Sequence, residues 1–141
     1  MRRIIVLLCA LTLAACGSFG PKPAAAPPCP LPGQSRYAVA ELFFGRDIPG
    51  RGPLTDVEWE NFAARTITAQ FPDGFTVMDG DGQWFDQTSG KLVREPSKIL
   101  LVAADPDSDL KTRLGSVIAA YRAQFQQRSV GVITSEACGA F

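Results

Sequence analysis

Seven consecutive residues, Lys98-Ile99-Leu100-Leu101-Val102-Ala103-Ala104, carry one charge at their start and no other polar side chain. A run this short and this apolar reads as a buried β-strand. Such a strand needs neighbours on its edges and a layer packed over it, so it commits the remaining chain to supplying both.

The flanking sequence does supply them. Arg36–Gly45 alternates: Tyr37, Val39 and Phe43 fall on one face, with Glu41 among them, and Ala38, Leu42 and Phe44 fall on the other. A Gly/Pro loop follows. Thr55-Asp56-Val57-Glu58 is a capping-box pattern that opens a helix. Trp59, Phe62, Ala63, Thr66 and Ile67 give that helix a core face, with Trp59 read as packing, and Phe71 before Pro72-Asp73-Gly74 ends it. Phe75–Met78 and Gln83–Asp86 read as strands around a tight turn at Asp79-Gly80-Asp81-Gly82. Lys91–Arg94 follows as a short strand after Thr88-Ser89-Gly90, broken from the apolar run by Glu95-Pro96. Asp105–Asp109 is expected to cap a second helix, whose face is Leu110, Leu114, Val117, Ile118, Tyr121 and Phe125. Ser129–Ser135 is the last strand. The order predicts an α+β domain: a ferredoxin-like split βαβ sandwich, an antiparallel sheet with two helices on one face.

The N-terminus has a different character. Met1-Arg2-Arg3 is basic and Ile4–Leu13 is a ten-residue apolar run. A membrane-spanning helix needs about 20 apolar residues, so this run reads as the core of a secretory signal. Leu13-Ala14-Ala15-Cys16 resembles the bacterial lipobox, which makes Cys16 the expected lipidated residue and residues 1–15 the signal. Gly17, rather than Asp, points to the outer membrane over the inner. The expected partner is then the membrane, reached through the lipid anchor, with the cell envelope as the location. Residues 16–35 read as a Pro/Ala-rich spacer, and 36–141 as the single domain.

Two cysteines remain after Cys9 and Cys16 are assigned. In the predicted topology the first and last strands are neighbours, so Cys29, before the first, and Cys138, after the last, come together as a disulfide. The chain has no histidine, which excludes Ser-His-Asp and Cys-His catalysis within it. No cofactor and no metal are expected. Asp79-x-Asp81 and Asp105-x-Asp107-x-Asp109 each lack the later ligands of a calcium loop. With Arg2 and Arg3 removed, 12 basic side chains face 14 acidic ones, a balance that gives no electrostatic reason for a nucleic-acid partner.

Arg94-Glu95-Pro96-Ser97-Lys98 packs three charges ahead of the apolar strand. With Gln83 and Trp84 on a neighbouring strand, Arg94, Glu95 and Lys98 form the candidate pocket. The competing reading is a charge network tying a loop to the sheet. Tyr37, Glu41 and Phe43, facing away from the helices, leave an open sheet face through which a homodimer is expected.

The stretches Glu41-Leu42-Phe43-Phe44-Gly45, Phe71-Pro72-Asp73-Gly74-Phe75-Thr76-Val77, Gly82-Gln83-Trp84 and Arg94-Glu95-Pro96-Ser97-Lys98 resemble the domain of unknown function 3574 family of small bacterial envelope lipoproteins. The resemblance covers roughly residues 36–141. It implies the domain and no activity, and no catalytic residue carries over. The expected function is a lipid-anchored binding or interaction module for an envelope protein or a small molecule. The alternative is a small histidine-free enzyme acting on an anionic small molecule, with Glu95 as base and Arg94 and Lys98 holding negative charge. A structural role within an envelope complex is the third reading.

Overall fold

The computed structural model describes residues 26–106 and 109–141. The expected signal, Cys16, the first half of the expected spacer, and Asp107 and Ser108 in the expected cap of the second helix lie outside these residues. Strand β1 (Ser35–Gly45) leads to helix α1 (Asp56–Phe62), a π-helical turn (Ala63–Ile67) and a short α2 (Thr68–Gln70). Strands β2 (Thr76–Asp86) and β3 (Lys91–Ala104), helix α3 (Leu110–Phe125) and strand β4 (Gly131–Gly139) follow. The sheet order is β2-β3-β1-β4, and every pairing is antiparallel. This is the ferredoxin-like α+β arrangement that the element order predicts. Among the described residues no helix is long and apolar enough to cross a membrane.

The apolar run does lie centrally, between β2 and β1. Its burial is one-sided, however. Leu100, Val102 and Ala104 are buried under the helices, while Ile99, Leu101 and Ala103 face the other way and are half-buried. β1 repeats the pattern, with Ala40, Leu42 and Phe44 buried and Glu41 and Phe43 on the open face.

Two expectations about breaks are corrected. Asp79–Gly82 is not a turn. β2 runs through it, because each residue from Thr76 to Asp86 keeps a partner on β3. The chain reverses at the next turn signal instead, where Asp86 accepts bonds from the Thr88 amide and the Ser89 hydroxyl and Gly90 takes a φ of +66°. Nor does Glu95-Pro96 break β3. β1 ends opposite Ser97, so the missing N–H of Pro96 takes no partner from the ladder on that side. At α3 the N-cap residue Asp109 makes no side-chain cap bond. The last strand also ends later than expected, so Cys138 lies within β4, opposite Arg36.

The first helix keeps its capping box: the Thr55 hydroxyl accepts from the Glu58 amide, and the Glu58 carboxylate accepts from the Thr55 amide. Its middle is π-helical for a reason visible in the spacing. Phe62 and Ile67 are both buried but five residues apart. A regular α-helix would swing Ile67 well off the face set by Phe62, whereas a wider turn returns it to the core. The Thr68 amide accordingly donates to the Ala63 carbonyl.

The core centres on Phe44, whose ring meets Trp59 and Tyr121 edge-on at centroid distances of 5.2 and 4.7 Å. Phe62 joins Tyr121 at 5.2 Å and Phe125 at 5.7 Å. Tyr121 is fully buried, and its hydroxyl donates to the Gly45 carbonyl at 2.9 Å. Cys29 and Cys138 are bonded across 109 residues of chain, joining the start of the described region to β4.

The Tyr121 bond can be separated from the packing around it. Tyr121→Phe keeps the ring and leaves the Gly45 carbonyl without that donor, at an expected cost of about 1–2 kcal/mol. Phe44→Ala removes the hub and costs about 3–5 kcal/mol. Urea denaturation measures both, and a Tyr121→Phe midpoint equal to wild type would show that the carbonyl is satisfied without the phenol.

Candidate functional site

Register decides where each predicted site residue points, because successive side chains on a strand take opposite faces. Lys98 is on the helix side of β3 and is buried, with 7% exposure. Opposite it on β2 is Asp79, whose Oδ1 lies 2.5 Å from Nζ. Asp56, in the first turn of α1, lies 3.0 Å from the same nitrogen. Arg46, just past β1, reaches Asp56 at 3.2 Å and Asp79 at 3.9 Å. Its guanidinium also donates to the Leu54 carbonyl, closing the loop between β1 and α1. Lys98 and Arg46 together hold the Asp56 carboxyl below the usual carboxylate range, the hydrogen bond from Lys98 contributing most. Two cations thus face two carboxylates, as the buried ammonium requires. This is a charge network tying a loop to the sheet, but with Arg46, Asp56 and Asp79 as members where the sequence reading placed Arg94 and Glu95.

Gln83 and Arg94 are also cross-strand partners, with Arg94 Nε donating to Gln83 Oε1 at 2.8 Å on an exposed surface. One residue along, Trp84 and Glu95 take the opposite face. The five predicted residues therefore do not converge. Glu95 and Lys98 lie on opposite sides of β3, and the grouping of Arg94, Glu95 and Lys98 around one substrate is not formed.

Glu95 and Trp84 share something else: a cleft of about 510 Å³ at the end of the sheet where β1 leaves and β4 enters. Three strands contribute glycine to its lining, Gly45, Gly82 and Gly131. Phe43 and the half-exposed Trp84 add aromatic surface, and Ser97 lies beside Glu95. The rim comes from two loops: Asp47 and Pro49 after β1, and Gln126 to Ser129 after α3. Gln127 fastens these loops together, its amide donating to the Asp47 carbonyl at 2.5 Å. Gln126 ends α3 in the left-handed region at a φ of 54°, where glycine is the usual occupant.

Glu95 Oε1 accepts the Asp47 backbone N–H at 3.0 Å. Among the described residues no Lys or Arg pairs with this carboxylate within 4.0 Å. Gly45 lies beneath it, and a Cβ there would overlap the carboxylate and displace the Glu95 side chain. Burial pushes the Glu95 carboxyl above its ordinary value, the nearby Asp47 charge adds to the rise, and the Asp47 N–H opposes it. The cleft therefore presents a half-buried acid, an aromatic wall and a stretch of bare backbone at Gly82. Sequence reasoning found Glu95 and Trp84 but missed the glycines, Asp47 and the Gln126–Ser129 rim. Only the alternation of Gly80 and Gly82 hinted at an open surface, and it was read as a turn.

The raised carboxyl has a consequence for stability. As pH rises past the ordinary value of 4.5, the unfolded chain loses this proton before the folded one. Ionisation therefore costs the folded state stability that is fully present at lower pH. Glu95→Gln keeps the acceptor for Asp47 and cannot ionise. Its melting temperature is expected to exceed wild type at pH 7, with the difference shrinking toward pH 4. An equal or lower melting temperature at pH 7 would show that the carboxylate is not penalised.

The fold has solved counterparts. Phage SAM lyase in complex with S-methyl-5′-thioadenosine is 19% identical, with 74% of this chain and 90% of that chain covered and a TM-score of 0.54. Phage SAM lyase in the apo state is 18% identical, with 79% and 93% covered and a TM-score of 0.55. At this identity the likeness shows a common fold. No curated protein matches the chain. A family model described as a protein of unknown function, DUF3574, matches residues 39–141, which takes in the core, the charge network and the whole cleft. The chain belongs to that family.

Proposed function

We propose that this protein is a lipid-anchored cell-envelope module that binds a small molecule in the cleft between Trp84 and Glu95. The cleft carries the proposal. Its volume falls within the range of about 300–1,000 Å³ usual for small-molecule sites, and Gly82 leaves room beside Trp84. A half-buried acid without a cationic partner among the described residues is a feature that binding can use and folding alone does not require. The anchor rests on the Leu13-to-Cys16 motif and on the Pro/Ala-rich spacer after it. The Cys29–Cys138 bond suits an oxidising compartment.

A second reading, a small enzyme, draws on the fold shared with phage SAM lyase. The cleft then offers Glu95 as a base whose raised affinity for protons fits that work.

Mass spectrometry of the mature protein tests the address. It should find an N-terminal Cys16 carrying acyl chains, and an unmodified Cys16 would refute the anchor. A ligand-observed NMR fragment screen tests the cleft. Binders are expected whose signals are lost in Trp84→Ala, and a screen whose hits are indifferent to Trp84 and Gly82 substitutions would overturn it. Incubation with S-adenosylmethionine tests the second reading. Loss of the compound that depends on Glu95 would support it, and intact compound at all enzyme concentrations would sink it.

A further inference from the structure

We infer that the ligand of the cleft is a small organic cation bearing a flat ring, an inference that rests on the binding reading above. Two of the three ionisable residues lining the cleft are acids, Asp47 and Glu95. Asp47 and the third, Arg128, are both exposed on the rim, where solvent screens them, which leaves the half-buried Glu95 as the dominant charge. The cations closest in sequence to the site are occupied elsewhere: Lys98 and Arg46 face Asp56 and Asp79, and Arg94 pairs with Gln83. Among the described residues the half-buried Glu95 carboxylate thus receives one backbone N–H and no ammonium or guanidinium. An incoming cation would supply the missing charge where water is partly excluded, and there the attraction is stronger than in bulk solvent.

Trp84 favours the same class. The residue is 46% exposed and faces the cleft side of the sheet, and an indole face is the best of the aromatic surfaces for a cation. Gly82 lies two residues before Trp84 on the same face and directly opposite Glu95. With no side chain at Gly82, and no other side chain over it, a planar group can lie flat against the sheet beside Trp84. An anion fits poorly, since it would approach the half-buried Glu95 carboxylate. A metal ion fits poorly as well, since two carboxylates leave most of a coordination shell unfilled.

Isothermal titration of the mature chain in detergent, at pH 7, decides the matter with three probes that share a ring and differ in charge. These are phenethylammonium, 2-phenylethanol and 3-phenylpropionate. Phenethylammonium is expected to bind at least ten-fold tighter than the alcohol, and phenylpropionate more weakly than either. Glu95→Gln should abolish the preference for the cation while keeping the alcohol's affinity, and lowering the pH toward 4 should do the same in wild type. Equal affinities for cation and alcohol, tighter binding of the anion, or a preference that survives Glu95→Gln would each overturn the inference and leave the cleft standing as a site. If none of the three binds, the cation class fails; if the fragment screen is also empty at Trp84, the binding reading fails with it.

Discussion

The structure depends on the two-residue period of β1, held between β3 and β4 by ladders on both edges. That pairing fixes which side chains enter the helix-covered core and which face outward. Ala40, Leu42 and Phe44 go inward and meet Trp59, Phe62 and Tyr121. Phe43 and Gly45 go outward and line the cleft. A slip of one residue would exchange the two sets, burying Glu41 and exposing Phe44. The bond from Tyr121 to the Gly45 carbonyl secures the register at the end where the cleft begins.

The two faces treat charge differently. On the helix side, Lys98 and Arg46 are matched by Asp56 and Asp79, so burial of the ammonium is offset by direct partners. On the cleft side, Glu95 is desolvated and has no counter-ion among the described residues, and Gln126 holds a backbone conformation that glycine would adopt more easily. Both features work against stability and both border the same cavity. Natural proteins tolerate such costs where function requires them. The matched network, by contrast, suffices as architecture: it joins the β1–α1 loop, the first turn of α1 and the β2–β3 hairpin.

Much of this was legible in the sequence because the signals were periodic. The inward residues of β1 and α3, the capping box at Thr55 and the order of elements all follow from spacing, and the order placed Cys29 beside Cys138. The misreadings came where a local signal met a tertiary one. Asp79-Gly80-Asp81-Gly82 has turn chemistry, but its pairing with β3 and the ion pair from Asp79 to Lys98 hold it extended. Glu95-Pro96 has breaker chemistry, yet it sits where β3 has outrun β1. The pocket was half legible for the same reason. Residues 94, 95 and 98 are close in sequence, but parity sends Glu95 to the opposite face from Lys98. Arg46, Asp47, Asp56 and the α3–β4 loop arrive from distances that spacing alone does not reveal.

The central claim is that the open-face cleft, and not the charge network behind it, is where this domain meets its ligand. A backbone amide NMR titration with phenethylammonium tests it most directly, because every residue reports separately. The account predicts shifts confined to Phe43–Asp47, Gly82–Trp84, Glu95 and Gln126–Gly131. Shifts centred on Asp56, Asp79 and Lys98, with the cleft silent, would contradict it.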